Sequence, residues 1–180
     1  ITTAATATEI TVLDATALDL GVTSAQNGTI TLGVGGDITG ALTQTGGAIT
    51  ANALVLGTTN SVTLTDAGNN VATLSGSSSG ILQYTDADTF TVNGLTSNGN
   101  PITLIATTGN LVQGTGAVDA GVGTVTLTAS AANGSILDST NDTVADAIGS
   151  TLTLNAGALG TGTGSIGKDP AVGPSGFFGT

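Results

Sequence analysis

Gly123-Thr124-Val125-Thr126-Leu127-Thr128-Ala129-Ser130-Ala131-Ala132-Asn133-Gly134-Ser135-Ile136-Leu137-Asp138 reads as a short strand, a polar corner and a second short strand. Apolar and small polar residues alternate at period two, the pattern of a strand with one buried face. Asn133-Gly134 suits a corner, because Gly and Asn take positive φ at little cost. The same spelling recurs along the chain. An aliphatic-Thr-aliphatic triplet stands at Ile30-Thr31-Leu32, Val62-Thr63-Leu64, Ile102-Thr103-Leu104, Val125-Thr126-Leu127 and Leu152-Thr153-Leu154. A Gly-polar-aliphatic corner stands at Gly36-Asp37-Ile38, Gly109-Asn110-Leu111, Gly134-Ser135-Ile136 and Gly164-Ser165-Ile166. In the C-terminal half the two alternate with a period in the low twenties, which points to a solenoid.

The chemistry of the repeat supports that reading. Inward aliphatic side chains stack on the same position one turn away, so a core forms without many aromatics. Outward Thr and Ser tolerate a half-exposed pleated surface. Composition agrees: aromatics are 2%, Gly numbers 29, and Cys, Met, Trp and His are absent. The expected fold is all-β, a right-handed parallel β-helix of roughly eight irregular coils over residues 1–167, with no helical cap. Residues 168–180 hold Pro170, Pro174, Phe177 and Phe178 and read as an irregular tail or connector. The competing fold is an antiparallel sandwich, since four Asn-Gly pairs (27–28, 93–94, 98–99, 133–134) are hairpin signals on their own. Such sandwiches usually carry aromatic anchors, which favours the solenoid here.

The net charge is −11 and Lys168 is the only base. One cation cannot track a phosphate backbone, so nucleic acid is not an expected partner. No run is long and apolar enough for a transmembrane helix, so no membrane insertion is expected. A chain without Met reads as a processed or excised piece.

Ile136-Leu137-Asp138, Ala145-Asp146-Ala147-Ile148, Leu152-Thr153-Leu154-Asn155-Ala156 and Gly164-Ser165-Ile166-Gly167 together resemble the repeat region of filamentous-haemagglutinin-type exoproteins. Gly36-Asp37-Ile38-Thr39-Gly40 and Gly47-Ala48-Ile49-Thr50-Ala51 extend the likeness. The resemblance implies a right-handed parallel β-helix in a large bacterial adhesin secreted by the two-partner route. The Thr-, Gly- and Ala-rich acidic composition is also similar to that of bacterial surface-layer proteins.

Each candidate site has a plainer alternative. Asp86 and Asp88 are the best carboxylate pair for hydrolysis, but no His or Arg accompanies them, and they read as solvated loop carboxylates. Calcium would draw on Asp138, Asp142 and Asp146 with Asn141, or on Gly33-Val34-Gly35-Gly36-Asp37. The simpler reading makes these solubilising loop residues, so no catalytic residue, cofactor or metal is assigned. Thr-x-Thr pairs at 63/65, 89/91, 124/126/128, 151/153 and 161/163 are those an ice-binding plane would need. Their uneven spacing along the chain speaks instead for ordinary strand preference. Asn27-Gly28-Thr29, Asn133-Gly134-Ser135 and Asn141-Asp142-Thr143 match the glycosylation pattern, as chance allows in such a chain. Lys168 reads as a solvated tail residue, and Phe177-Phe178 as a possible dock onto a neighbouring coil.

The expected function is a non-enzymatic structural or adhesive rod of an extracellular bacterial surface protein. Both ends are expected to pair with other copies or adjoining β-helix segments, and host or cell-surface glycan or protein is a further expected partner. The alternative is a surface-layer or biofilm-matrix scaffold, and a Thr-face ice- or glycan-binding module stands behind both.

Overall fold

A computed structural model describes residues 9–140, 145–157 and 163–168. Among them the chain forms strands and no helix. In order these are β1 (Glu9–Val12), β2 (Leu18–Leu20), β3 (Thr23–Ser24), β4 (Thr29–Leu32), β5 (Leu42–Gln44), β6 (Ile49–Gly57), β7 (Val62–Leu64), β8 (Asn70–Ser77) and β9 (Leu82–Asp86). They continue as β10 (Phe90–Thr96), β11 (Ile102–Ala106), β12 (Leu111–Gln113), β13 (Val118–Asp119), β14 (Thr124–Ala129), β15 (Ile136–Asp138), β16 (Ala147–Ile148), β17 (Thr151–Ala156) and β18 (Ile166–Lys168).

Two parallel sheets run the length of the molecule. Sheet B has seven strands in the order β17-β14-β11-β9-β7-β5-β2, and sheet A is built along β1-β4-β6-β8-β10-β12-β15-β18, with β3, β13 and β16 beside it. Every sheet-B strand lies one turn from its neighbour, so the chain is a β-solenoid of about six turns. The expected eight coils are therefore too many. The register column Leu42–Val62–Leu82–Ile102 advances by 20 residues per turn, but the steps to Val125 and Leu152 take 23 and 27, because the corners lengthen. Six steps of about 4.8 Å give a body about 29 Å long.

The core is one column-stacked seam between the sheets. Leu64, Tyr84, Leu104 and Leu127 stand in register, as do Val62, Leu82, Ile102 and Val125, and all are buried. Their spelling explains the fold: a residue that meets its like one turn away packs without voids. Two aromatics do join this aliphatic interior. Tyr84 and Phe90 meet edge to face, with ring centres 5.4 Å apart and planes at 73°.

None of the four Asn-Gly pairs makes a hairpin, since every strand pairing is parallel. Asn93-Gly94 lies inside β10, where the register against β8 shifts between Val92 and Leu95, and Gly94 sits at φ +74°. Asn98 (φ +48°) and Gly99 (φ +89°) turn the chain after β10. The triplets also divide. Those at 62, 102, 125 and 152 form one column of sheet B, whereas Ile30-Thr31-Leu32 lies in sheet A. Lys168 closes β18, paired in register with Asp138, and so belongs to the last described turn. Phe177-Phe178, Asn141 and Asp142 lie outside the described residues.

Candidate functional site

The outward face of sheet B carries the most regular array of side chains in the molecule. Asp19, Thr43, Thr63, Gln83, Thr103, Thr126 and Thr153 form one register column across all seven strands. Beside it run Thr85, Ile105, Thr128 and Asn155 on one flank and Thr124 and Thr151 on the other. Thr63 of the pair at 63/65 and the threonines of 124/126/128 and 151/153 thus fall on one face, while Thr65 lies beyond the end of β7. Their uneven sequence spacing comes from corners of different length, which leave the strand register untouched. The pair at 89/91 belongs to the sheet-A side, and Thr161 lies outside the described residues.

This face is uncharged from β5 to β17, in a chain of net charge −11. Asp19 on β2 bounds one end. Its carboxylate accepts the hydroxyls of Thr43 at 2.9 Å and Thr45 at 2.5 Å, and these bonds, Thr45 first, hold its pKa below the usual carboxylate value. The hydroxyls of Thr63, Thr103, Thr126 and Thr153 make no hydrogen bond within the protein, whereas those of Thr23, Thr58, Thr73, Thr107 and Thr108 bond backbone carbonyls. Threonines at several corners are thus used by the fold; those central to sheet B are not, and sheet A holds both kinds, Thr73 bonded and Thr31 free.

The corners hold a second set of polar side chains. Thr89 Oγ1 accepts the N–H of Asn110 at 2.9 Å, Asn110 Oδ1 that of Ser135 at 2.9 Å, and Ser135 Oγ that of Ser165 at 3.0 Å. This ladder explains the Gly-polar-aliphatic spelling. The polar residue bonds the backbone one turn on, and the aliphatic residue after it enters the core at Leu111 and Ile136. Further down, buried Asn69 joins three turns. Its amide donates to Gln44 Oε1 and to the Thr85 carbonyl, and its oxygen accepts from Ile49 N and Gln44 Nε2.

Asp86 and Asp88 do not form a solvated pair. Asp86 is fully buried at an inward position of β9, and Asp88 is exposed beyond the strand end. The Asp86 carboxylate accepts the Tyr84 hydroxyl at 2.5 Å, Val71 N at 3.0 Å and Asp88 N at 3.1 Å. Burial nevertheless dominates and lifts its pKa to about 6, while these donors pull the other way. Burial, reinforced by the charge of Asp86, raises the Tyr84 hydroxyl above its usual value. Tyr84 and Asp86 thus hold one another inside the core.

Asp138 and Asp146, expected as solubilising loop carboxylates, are buried as well. Asp138 Oδ1 accepts the N–H and hydroxyl of Thr140 at 2.8 and 2.9 Å. No three acidic, His or Cys side chains converge on a metal-sized site among the described residues. Gln113, in the column between Val92 and Asp138, is buried with both amide atoms unbonded. The shallow polar groove lined by Ser24, Asn27, Thr50, Asn52 and Asn70 carries no carboxylate.

Among the described residues, the last turn is open. Leu152 and Ile166 occupy core columns, yet are 44% and 46% exposed, where Val125 and Ile136 one turn earlier are fully covered. These exposed side chains, and edges of β17 and β18 that no other described strand pairs, make this end a template for another turn. Comparison with protein-family profiles, curated proteins and solved structures returned no match to this chain.

Proposed function

We propose that this chain is a segment of a non-enzymatic structural or adhesive rod, displayed on a bacterial surface or released outside the cell. The observation that carries this reading is the open last turn. Core residues there wait for the same apolar shape one step further, which another copy or an adjoining stretch of β-helix supplies. The likeness to filamentous-haemagglutinin-type repeats agrees with it. So does the absorption of Tyr84 and Asp86 into the core, which breaks up the Asp86–Asp88 pair that a hydrolase would need.

A rod is tested by concentration-dependent sedimentation and negative-stain electron microscopy. End-to-end growth into filaments one solenoid wide is the expected result. Planar arrays would favour the surface-layer or matrix scaffold instead, and a sharp monomer at every concentration would overturn self-association. Turnover of a polysaccharide by the purified chain would overturn the non-enzymatic part.

A further inference from the structure

We propose that the outward face of sheet B binds the surface of crystalline ice. The proposal concerns the flank of the solenoid, so it stands or falls apart from the end-to-end rod.

Three observations converge on it. The face is periodic in two directions. Its columns repeat at about 4.8 Å from turn to turn, and its ranks at about 6.7 Å along each strand. It is uncharged between β5 and Asn155, although the whole chain carries −11. Finally, the hydroxyls of Thr63, Thr103, Thr126 and Thr153 are bonded to nothing in the protein. From β7 to β17 the column offers one threonine hydroxyl and one methyl per turn, except on β9, where Gln83 stands in place of threonine. The hydroxyls hold water in fixed places, and the methyl rows order the water that lies between them. A rigid parallel sheet keeps both in register before contact, so little ordering remains to be done on binding.

Other occupants fit less well. Glycan recognition of the stacking kind needs an exposed ring, and the two rings among the described residues, Tyr84 and Phe90, are both buried. The face measures about 400 Å² at these spacings, roughly half of what each partner contributes to a stable protein interface. A charged macromolecule finds no counter-charge there. A neutral lattice of water, matched by free hydroxyls, is the chemistry that remains.

The test is thermal hysteresis and crystal shaping, measured by nanolitre osmometry on the purified chain. The intact chain is expected to depress freezing below melting and to facet the crystal. Thr63→Lys and Thr126→Lys, on β7 and β14, are expected to lose both effects. Thr31→Lys, on β4 of sheet A, is expected to keep them. Circular dichroism melting establishes that each variant is folded. Thr153→Lys, exposed on the last turn, replaces any inner variant that does not fold. A folded chain without hysteresis or faceting overturns the proposal. So does equal loss in the sheet-A variant, or retention in the sheet-B variants. Capture by insoluble chitin or cellulose without any effect on ice would assign the face to a glycan and overturn it too. A chain that fails to form filaments but shapes ice would refute the rod and leave this proposal intact.

Discussion

Asp86 fills an inward position that Ala106, Ala129 and Ala156 take in the next three turns. Its carboxyl is held near pKa 6 in the folded chain against 3.8 for the free group, with burial as the main cause. A raised carboxyl pKa means that the fold binds the proton more tightly than the unfolded chain does. Its contribution is therefore most favourable below about pH 4 and is lost as pH rises through about 6, by at most about 3 kcal/mol. Asp86→Asn removes this titration. The stability difference between the intact chain and the variant, followed by urea unfolding, is expected to shift against the intact chain between those pH values and level off on either side. A flat difference would show that the three donors to Asp86 cancel the effect of its burial. Gln113 poses the opposite case, a buried amide without partners, stacked between the apolar Val92 and Asp138. Gln113→Leu removes that penalty and is expected to stabilise the fold by about 1–3 kcal/mol, read as a higher urea midpoint. Neither residue stood out as buried in the sequence. Whether an Asp faces in or out depends on the phase of its strand, and β9 places Asp86 in phase with the inward Leu82 and Tyr84.

At the level of strands and corners, composition is a better guide. The corner spelling at 109, 134 and 164 repeats because one geometry repeats, a polar side chain bonding the backbone a turn away. The triplets are less specific, because Ile30-Thr31-Leu32 satisfies the same demands in the other sheet. Asn-Gly misleads for a physical reason: positive φ serves a solenoid corner or a bulge as well as a hairpin tip. Gly76 shows how tight these positions are. It lies in β8 between Leu56 and Leu95, at φ +118°, and a Cβ there would stand 2.0 Å from the Leu56 carbonyl oxygen. Gly76→Ala combines backbone strain with a clash against a paired strand. A loss of at least about 2 kcal/mol is expected. Urea unfolding checks it, and a change within about 0.5 kcal/mol, usual for a harmless surface substitution, would contradict the stated geometry.

On the scale of the whole molecule, parallel stacking was legible and the number of turns was not, because corner length varies while strand register does not. The same property makes the ends consequential. Inside the stack each turn covers the one before it, so the energetic value of a core residue depends on having a successor. Leu152 has none among the described residues and remains 44% exposed, while Val125, its predecessor in the column, is fully covered. Leu152→Lys separates the two roles of that position. The side chain is already half in water, so the substitution is expected to change the melting temperature of the isolated chain little. If another turn docks on this end, the same lysine would have to be buried in an apolar column without a partner, which costs several kcal/mol and blocks docking. The substitution also makes the net charge one unit less negative, so weaker association could not be ascribed to added repulsion between acidic chains. Sedimentation of the two proteins side by side should give assemblies for the intact chain and monomers for the variant at the same concentration. Equal association of both would place the contact elsewhere on the molecule and remove the open turn as the basis of the rod.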